Sequence, residues 1–154
     1  MEIFILIISI LITLYLIRKW YLGETKHTQS SKDVEDIHQK EADFKRIDDW
    51  IKLNKAFLDP DIRLEKVAKG LQLTDKQVSS AINTIACQNF NTYINKLRIK
   101  EAQWMLISEE YSHYTIDAIA EMAGFSNKVS FYKAFKKVVE ISPTDYRRSL
   151  KQSN

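Results

Sequence analysis

The stretch that decides the fold is TIDAIAEMAGFSNKVSFYKAF, residues 115–135. Its apolar residues recur three and four positions apart, first up to the glycine and again from Phe131 through Phe135 to Val138 just beyond it. Gly124 separates the two runs and suits the left-handed backbone that ends many helices. The stretch therefore predicts a helix, a short turn and a second helix, each with one buried face.

The same pattern occurs earlier, in RLEKVAKGLQLTDKQVSSAIN, residues 63–83. Thr74 and Gln77 form a capping box that starts the second helix at Asp75, and Gln72 occupies the place of the glycine. The helix before the turn repeats at an offset of 52 residues, and the helix after it at 53. In the first helix of each unit, the inward positions Leu64, Val67, Ala68 and Leu71 correspond to Ile116, Ile119, Ala120 and Ala123. In the second helix, Val78 and Ile82 correspond to Phe131 and Phe135. The chain therefore carries two helix-turn-helix units.

The segments around these units also have helical patterns. Between them lies NFNTYINKLRIKEAQWML (89–106), which is apolar on more than one side, as a connector packed against both units would be. Ahead of them, FKRIDDWIKLNKAF (44–57) predicts an amphipathic helix, and after them ISPTDYRR (141–148) predicts a helix that begins with a Ser-Pro pair. Trp50 and Trp104 are core candidates in these helices.

The second helices of both units have polar outward faces. The outward positions are Lys76, Ser79, Ser80 and Asn83 in the first unit, and Lys128, Val129, Tyr132, Lys133 and Lys136 in the second. Residues 125–154 contain seven basic and two acidic residues, a net charge of +5. Such a patch attracts polyanions, although a hydrated basic surface has the same composition. Two such helices on one connector fit successive major grooves of double-stranded DNA, ~34 Å apart.

At this point residues 60–150 resemble the DNA-binding domain of the AraC/XylS family of bacterial transcription regulators. The resemblance is carried by LEKVAKGLQLTDKQVSSAIN, NFNTYINKLRIKEAQWML, IDAIAEMAGFSNKVSFYKAFKK and SPTDYRR. It implies seven helices, two units reading adjacent major grooves, and RNA polymerase as a protein partner. By position it implies base contacts from Lys76, Ser79, Ser80, Asn83, Lys128, Val129 and Lys133, and a phosphate contact from Ser130.

The sequence departs from the family pattern at three places. Cys87 and the Glu140-Ile141 pair stand where the family usually has glycine, and Lys133 stands where arginine is common. A residue other than glycine in a left-handed conformation costs roughly 1 kcal/mol, which a fold of this size tolerates. Lysine lacks the two-pronged geometry with which arginine binds guanine. These departures affect DNA affinity and preference more than the fold.

The amino-terminal run predicts a membrane anchor. Ile3 to Ile17 contains no charge, and Arg18, Lys19, Trp20 and Tyr21 suit a membrane interface. A signal peptide is disfavoured because the positive charges follow the apolar run, and a buried soluble helix is disfavoured because the run is apolar all round. We therefore expect a transmembrane helix over residues 1–22. The positive-inside rule then predicts a single-pass protein of the bacterial inner membrane, with its carboxy-terminal domain in the cytoplasm.

The remaining composition completes the predicted organisation. With 3 Gly and 2 Pro in 154 residues, helices are favoured over an all-β fold. Residues 23–43 are polar and acidic and predict a linker, helical in part after Asp33. We therefore expect an all-α protein with a transmembrane helix, a linker and a seven-helix domain over 44–154. The residues ahead of that domain leave no room for a ligand pocket, so no small-molecule site is expected.

An enzyme is the least favoured class. No Gly-rich phosphate loop, zinc-ligand spacing or nucleophile arrangement occurs in the sequence, so we expect no catalytic residue, metal or cofactor. Glu109, Glu110 and His113 lie in a predicted loop and fit a hydrated surface better than an acid–base site. The alternative to DNA binding is a membrane-tethered interaction module that keeps the fold and binds a protein partner.

Overall fold

The computed structural model describes residues 2–152 and, within them, the side chains of residues 7–20 and 33–149. The chain divides into two compact units, residues 1–39 and 40–154. The described residues form helices and no strand, as the composition predicted. The α-helices are α1 (Glu2–Leu53), α2 (Leu64–Leu71), α3 (Asp75–Ile85), α4 (Phe90–Ile107), α5 (Ile116–Met122), α6 (Lys128–Val139) and α7 (Pro143–Gln152). Short 3₁₀ helices lie at Ala56–Leu58 and Glu109–Tyr111.

The structure does not support the prediction of a transmembrane helix over residues 1–22. No helix in the described part of the chain is both long enough and apolar enough to cross a membrane. The uncharged run from Ile3 to Ile17 is fifteen residues, which as a helix spans about 22 Å against a hydrocarbon core of ~30 Å. This finding contradicts the predicted single-pass attachment to the bacterial inner membrane with a cytoplasmic carboxy-terminal domain. Met1 and the side chains of residues 2–6 and 21–32 lie outside the described residues.

Residues 23–43 are helical, although their composition predicted a linker with helix only in part after Asp33. Helix α1 includes all of them. Lysine, glutamate and glutamine, which are frequent in this stretch, are good helix formers, and the stretch has no proline. Most side chains of residues 33–43 are exposed, as their polarity indicated, but polarity alone did not distinguish an exposed helix from a coil.

The first core is formed by the end of α1 with α2, α3 and the first half of α4. Ile47, Ile51, Val67, Val78 and Ile82 are completely buried in it. The indole of Trp50 packs so closely on α2 that a Cβ placed on Gly70 would lie 2.8 Å from its ring. This core confirms the inward positions predicted for the first unit, and Trp50 is half-buried at its edge.

The second core is formed by the second half of α4 with α5, α6 and α7. Phe131 and Phe135 are completely buried, and a chain of edge-on ring contacts runs from Phe125 through both of them to Tyr146, with centroid distances of 5.2–5.5 Å. Two predicted core residues lie elsewhere, because Trp104 is 48% exposed and Val138 is 40% exposed. Both stand at the margin of an apolar face, where the neighbouring helix and not the spacing decides burial.

Helix α4 serves both cores, as the sequence predicted. Its first half places Phe90, Tyr93 and Ile94 in the first core, and its second half places Ile99 and Met105 in the second. The Tyr93 hydroxyl donates a hydrogen bond to the Asp48 carboxylate on α1. Burial, and then this hydrogen bond, raise the pKa of Tyr93 above its usual value. The connector is thereby fixed to α1.

Arg98, in the middle of α4, joins the two cores. Its guanidinium donates hydrogen bonds to the backbone carbonyl oxygens of Phe57 and Asp59, at 2.7 and 2.8 Å, and lies 5.5 Å from the centroid of the Phe125 ring. Burial lowers the pKa of Arg98, while the nearby Asp59 carboxylate opposes that shift. Arg98 is thus a buried cation that donates hydrogen bonds to two backbone carbonyls after α1 and contacts Phe125 in the turn between α5 and α6.

We predict that Arg98→Met destabilises the fold, because methionine has a similar volume but leaves both carbonyls without this donor. The expected loss is ~2–4 kcal/mol of unfolding free energy, measured by chemical denaturation of the full chain. Arg98→Lys should lose less, since one ammonium can still reach a carbonyl. Lys100→Met, at an exposed position on the same helix, is the control and should stay within ~0.5 kcal/mol. An Arg98→Met protein as stable as that control would contradict the assignment.

Candidate nucleic-acid interface

Helix α3 begins at the predicted capping box. The Gln77 amide donates to the Thr74 hydroxyl at 3.2 Å, and the Thr74 amide donates to the Gln77 side-chain oxygen at 2.9 Å. Val78, Ala81 and Ile82 turn toward the first core and are completely buried. The cap and the buried stripe together fix which side of α3 faces outward.

The residues predicted on the outer side of α3 differ in exposure. Lys76 and Asn83 are exposed, while Ser79 and Ser80 are half-buried. The Asn83 side-chain amide donates to the Ser79 hydroxyl at 3.3 Å. Because amides and hydroxyls both donate and accept, this surface can hydrogen-bond to base edges or to phosphates. Lys76 is the one cation among the four.

Helix α6 is capped by Asn127, which sequence analysis did not single out. The Ser130 amide donates to the Asn127 side-chain oxygen at 2.8 Å. Asparagine is a preferred N-cap, and its position just after the turn was the signal that could have located the start of α6. Phe131 and Phe135 turn inward, so the opposite side of α6 faces outward.

That outer side carries most of the predicted contact residues. Lys128, Val129, Ser130, Lys133 and Lys136 are all exposed, and Val129 is 75% exposed.

Two of the predicted contact residues on α6 have partners within the chain. Tyr132 is half-buried and packs edge-on against Phe131, and its hydroxyl lies 3.5 Å from that of Thr144 on α7. The Lys128 ammonium lies 3.2 Å from the Asp117 carboxylate at the start of α5. Both members of that ion pair are half-exposed or more, so the pair contributes little to stability and can be exchanged for another anion. Tyr132 by contrast belongs to the edge of the core as much as to the surface.

The turns adopt the left-handed backbone that the sequence predicted. Gly124 has φ 89°, and Gln72, at the equivalent place in the first unit, has φ 56°. A Cβ on Gly124 would lie 2.7 Å from the Leu58 carbonyl oxygen, so glycine is required there for space as well as for conformation. Cys87 and Glu140, where the family usually has glycine, have φ 52° and 70°. Both departures are therefore accommodated at left-handed positions that end helices α3 and α6.

A cleft between α4 and α6 adjoins this surface, and sequence analysis missed it. Its volume is about 470 Å³. The lining residues are Thr92, Asn95 and Lys96 on α4, and Ser130, Lys133, Ala134, Lys137 and Val138 on α6. No local sequence pattern predicts this cleft, because its lining residues lie on separate helices and come together only where α4 crosses α6. Within the described residues, no group of His, Cys, Asp and Glu side chains could hold a metal ion.

Comparison with known sequences identifies related proteins over the carboxy-terminal part of the chain. A family model described as a helix-turn-helix domain matches residues 63–149. The regulatory protein PocR of Salmonella typhimurium is 29% identical over 99 residues, which cover 64% of this chain and 32% of PocR. The Msm operon regulatory protein of Streptococcus mutans is 27% identical over 92 residues, which cover 60% and 32%. The chain thus spans about a third of the length of these curated relatives.

Solved structures share the fold. The C-terminal domain of AraT, a response regulator from Geobacillus stearothermophilus, has a TM-score of 0.61 at 31% identity, over 70% of this chain and 84% of that domain. The DNA-binding domain of AdpA, solved in complex with a target DNA, has a TM-score of 0.62 at 16% identity, over 72% and 95%. The relatives described here are named as regulators and not as enzymes, which confirms the prediction that the chain is not an enzyme.

We predict that Glu140→Gly stabilises the fold by about 1 kcal/mol. Glycine relieves the left-handed strain at φ 70°, and the change removes a negative charge from the carboxy-terminal end of α6, where the helix dipole disfavours it. Glu140→Gln removes only the charge and separates the two contributions. Thermal unfolding measures both variants. A Glu140→Gly protein less stable than the wild type would contradict the strained geometry.

Proposed function

The chain belongs to the AraC-type helix-turn-helix family, and on that premise we propose that it is a sequence-specific transcription regulator that binds double-stranded DNA. One observation carries the proposal. Helices α3 and α6 are both capped, both bury one face in a core, and are joined through α4, which packs against each. Two capped helices with outward polar faces, held by one connector, fit two successive major grooves, with one helix-turn-helix unit in each groove. The DNA-binding domain would comprise residues 44–154.

The two reading helices would contribute different interactions. The outer face of α6 carries Lys128, Lys133 and Lys136, so α6 would supply most of the attraction for phosphates. The outer face of α3 has Lys76 as its cation beside neutral hydroxyl and amide groups, which suit base edges and provide less charge. We therefore expect α6 to dominate affinity and α3 to contribute mainly to sequence preference.

Within α6, Lys133 is the residue that we expect to read a base. It is exposed at the middle of the helix, on the side opposite the buried Phe131 and Phe135. An ammonium group donates to the guanine O6 and N7 atoms that line the major groove. Lys128 would instead exchange its ion pair with Asp117 for a phosphate, since an exposed pair contributes little.

The relatives support this assignment at the level of the domain. AdpA's domain of the same fold was solved with a target DNA, and PocR and the Msm protein are named as regulators. Because the chain spans about a third of those two proteins, the proposal concerns the reading domain. RNA polymerase as a partner stays a prediction of the family resemblance.

A second candidate function is an interaction module that keeps the fold and binds a protein. One observation favours it, namely the 75% exposure of Val129 on the outer face of α6, where an apolar side chain could contact a partner. On DNA the same side chain can contact a thymine methyl group, so its exposure fits both functions.

We predict saturable binding of the full chain to duplex DNA, with a preferred site that can be selected from random sequences. Log affinity should fall linearly and steeply with log salt concentration, because each phosphate contact releases counterions. Lys133→Ala should weaken binding to the preferred site by about tenfold, ~1.4 kcal/mol, and should reduce the ratio of specific to non-specific affinity. Fluorescence anisotropy of labelled duplexes over a salt series measures both quantities.

Lys100→Ala, at an exposed position on α4 that belongs to neither outer face, is the matched control and should bind as the wild type does. Absence of binding at low salt by a protein with a native melting transition would contradict DNA binding. That result would favour the interaction module, for which Lys133→Ala should leave binding to a protein partner intact.

A further inference from the structure

The cleft between α4 and α6 has the composition of a phosphate site. It is lined by three lysines, Lys96, Lys133 and Lys137, together with the hydroxyls of Thr92 and Ser130 and the amide of Asn95. Its lining contains no carboxylate. Ammonium, hydroxyl and amide groups are the side chains that bind phosphate oxygens in complexes of proteins with DNA.

The three lysines of the cleft also lack the carboxylate partner that four other lysines of the domain have. Lys52, Lys55, Lys66 and Lys128 each lie within 4.0 Å of a carboxylate. Among the described side chains, those of Lys96, Lys133 and Lys137 make no ion pair. Three positive charges around one cleft repel each other, and an anion between them would relieve that repulsion.

We propose that this cleft binds a phosphodiester of the DNA backbone, so that the connector helix holds DNA along with the two reading helices. The inference rests on the proposed function and extends it to Lys96, Asn95 and Thr92, none of which lies on a reading helix. Ser130 and Lys133 belong both to the outer face of α6 and to the cleft, which makes the two surfaces continuous. A strand that leaves the groove read by α6 therefore meets the first turns of α4.

A phosphodiester fits the cleft better than a free small molecule does. Ala134 and Val138 are the apolar residues of the lining, and the stems of the lysines add further apolar surface, so the three ammonium groups are the feature that selects an anion. The lysines themselves are exposed, which suits an extended polyanion that approaches from outside. The backbone phosphates carry no sequence information, so this site should add affinity and leave sequence preference unchanged.

The test compares Lys96→Gln and Lys137→Gln with Lys100→Gln in the full chain. Lys100 lies on the same helix as Lys96, is exposed and does not line the cleft. Each cleft variant should reduce the slope of log affinity against log salt by about 0.9, which corresponds to an about eightfold loss of affinity at 0.1 M salt. The ratio of specific to non-specific affinity should not change, and Lys100→Gln should match the wild type. Unchanged melting temperatures establish that all three variants fold.

A modified duplex locates the contact on the DNA. Single uncharged methylphosphonates are placed in turn at each phosphate between the two half-sites of the selected sequence. At one of these positions the wild type should lose about eightfold in affinity. Lys96→Gln should lose no further affinity there, because in that variant the phosphate already lacks its lysine partner. Equal losses in the wild type and the variant at every position would overturn the proposal.

The remaining outcomes separate this inference from the function on which it rests. If the wild type binds DNA and the cleft variants keep its salt slope, the phosphate site is overturned and the proposed function stands. If the wild type does not bind DNA, both fall. Inorganic phosphate in place of chloride at constant ionic strength distinguishes the sources of phosphate. Weaker DNA binding in phosphate by the wild type, but not by Lys96→Gln, would mean that phosphate competes with DNA for the cleft and would support the assignment. Phosphate that binds the free wild type but not Lys96→Gln, while both proteins bind DNA with the same salt slope, would assign the cleft to a free anion and overturn its assignment to DNA.

Discussion

The buried guanidinium of Arg98 is the interaction on which the arrangement of the two helix-turn-helix units depends. It binds the carbonyl oxygens of Phe57 and Asp59 at 2.7 and 2.8 Å and contacts the Phe125 ring beside the second turn. Gly124 allows the Leu58 carbonyl to approach that turn without steric overlap. The loop after α1, the connector and the second unit are thus held at one point. A buried cation tolerates no rearrangement that would leave it without acceptors, so the two units are expected to keep a fixed orientation.

The sequence predicted those features that depend on residues close together in the chain. The capping box at Thr74, the left-handed Gln72 and Gly124, and the buried stripes that include Val78 and Phe131 all involve positions at most four residues apart. The repeat of the whole unit supported each part of the prediction, because two copies of one pattern rarely arise by chance. The burial of α4 on two sides was predictable for the same reason, since its apolar residues follow the helical period on both sides.

The features that were missed or mistaken depend on parts of the chain that lie far apart in sequence. Trp104 and Val138 are apolar residues at the margins of helix faces, and only the neighbouring helix determines their exposure. The acceptors of Arg98 lie about forty residues away, in a loop with no recognisable pattern. The cleft with Lys96 and Lys137 arises from a helix crossing. The predicted membrane span rested on apolarity and flanking charges, whereas the uncharged run of fifteen residues is by itself shorter than the hydrocarbon core of a membrane.

If the two helix-turn-helix units keep a fixed orientation, they bind two successive major grooves of DNA together and not independently. The most direct test measures the affinity of the full chain for duplexes in which the two half-sites are moved apart or together. With a rigid connector, one spacing of ~34 Å should bind best, and a change of about 5 base pairs, half a helical turn, should reduce affinity to that of a single half-site. Equal affinity at all spacings would contradict the account, because it would mean that α3 and α6 bind DNA independently.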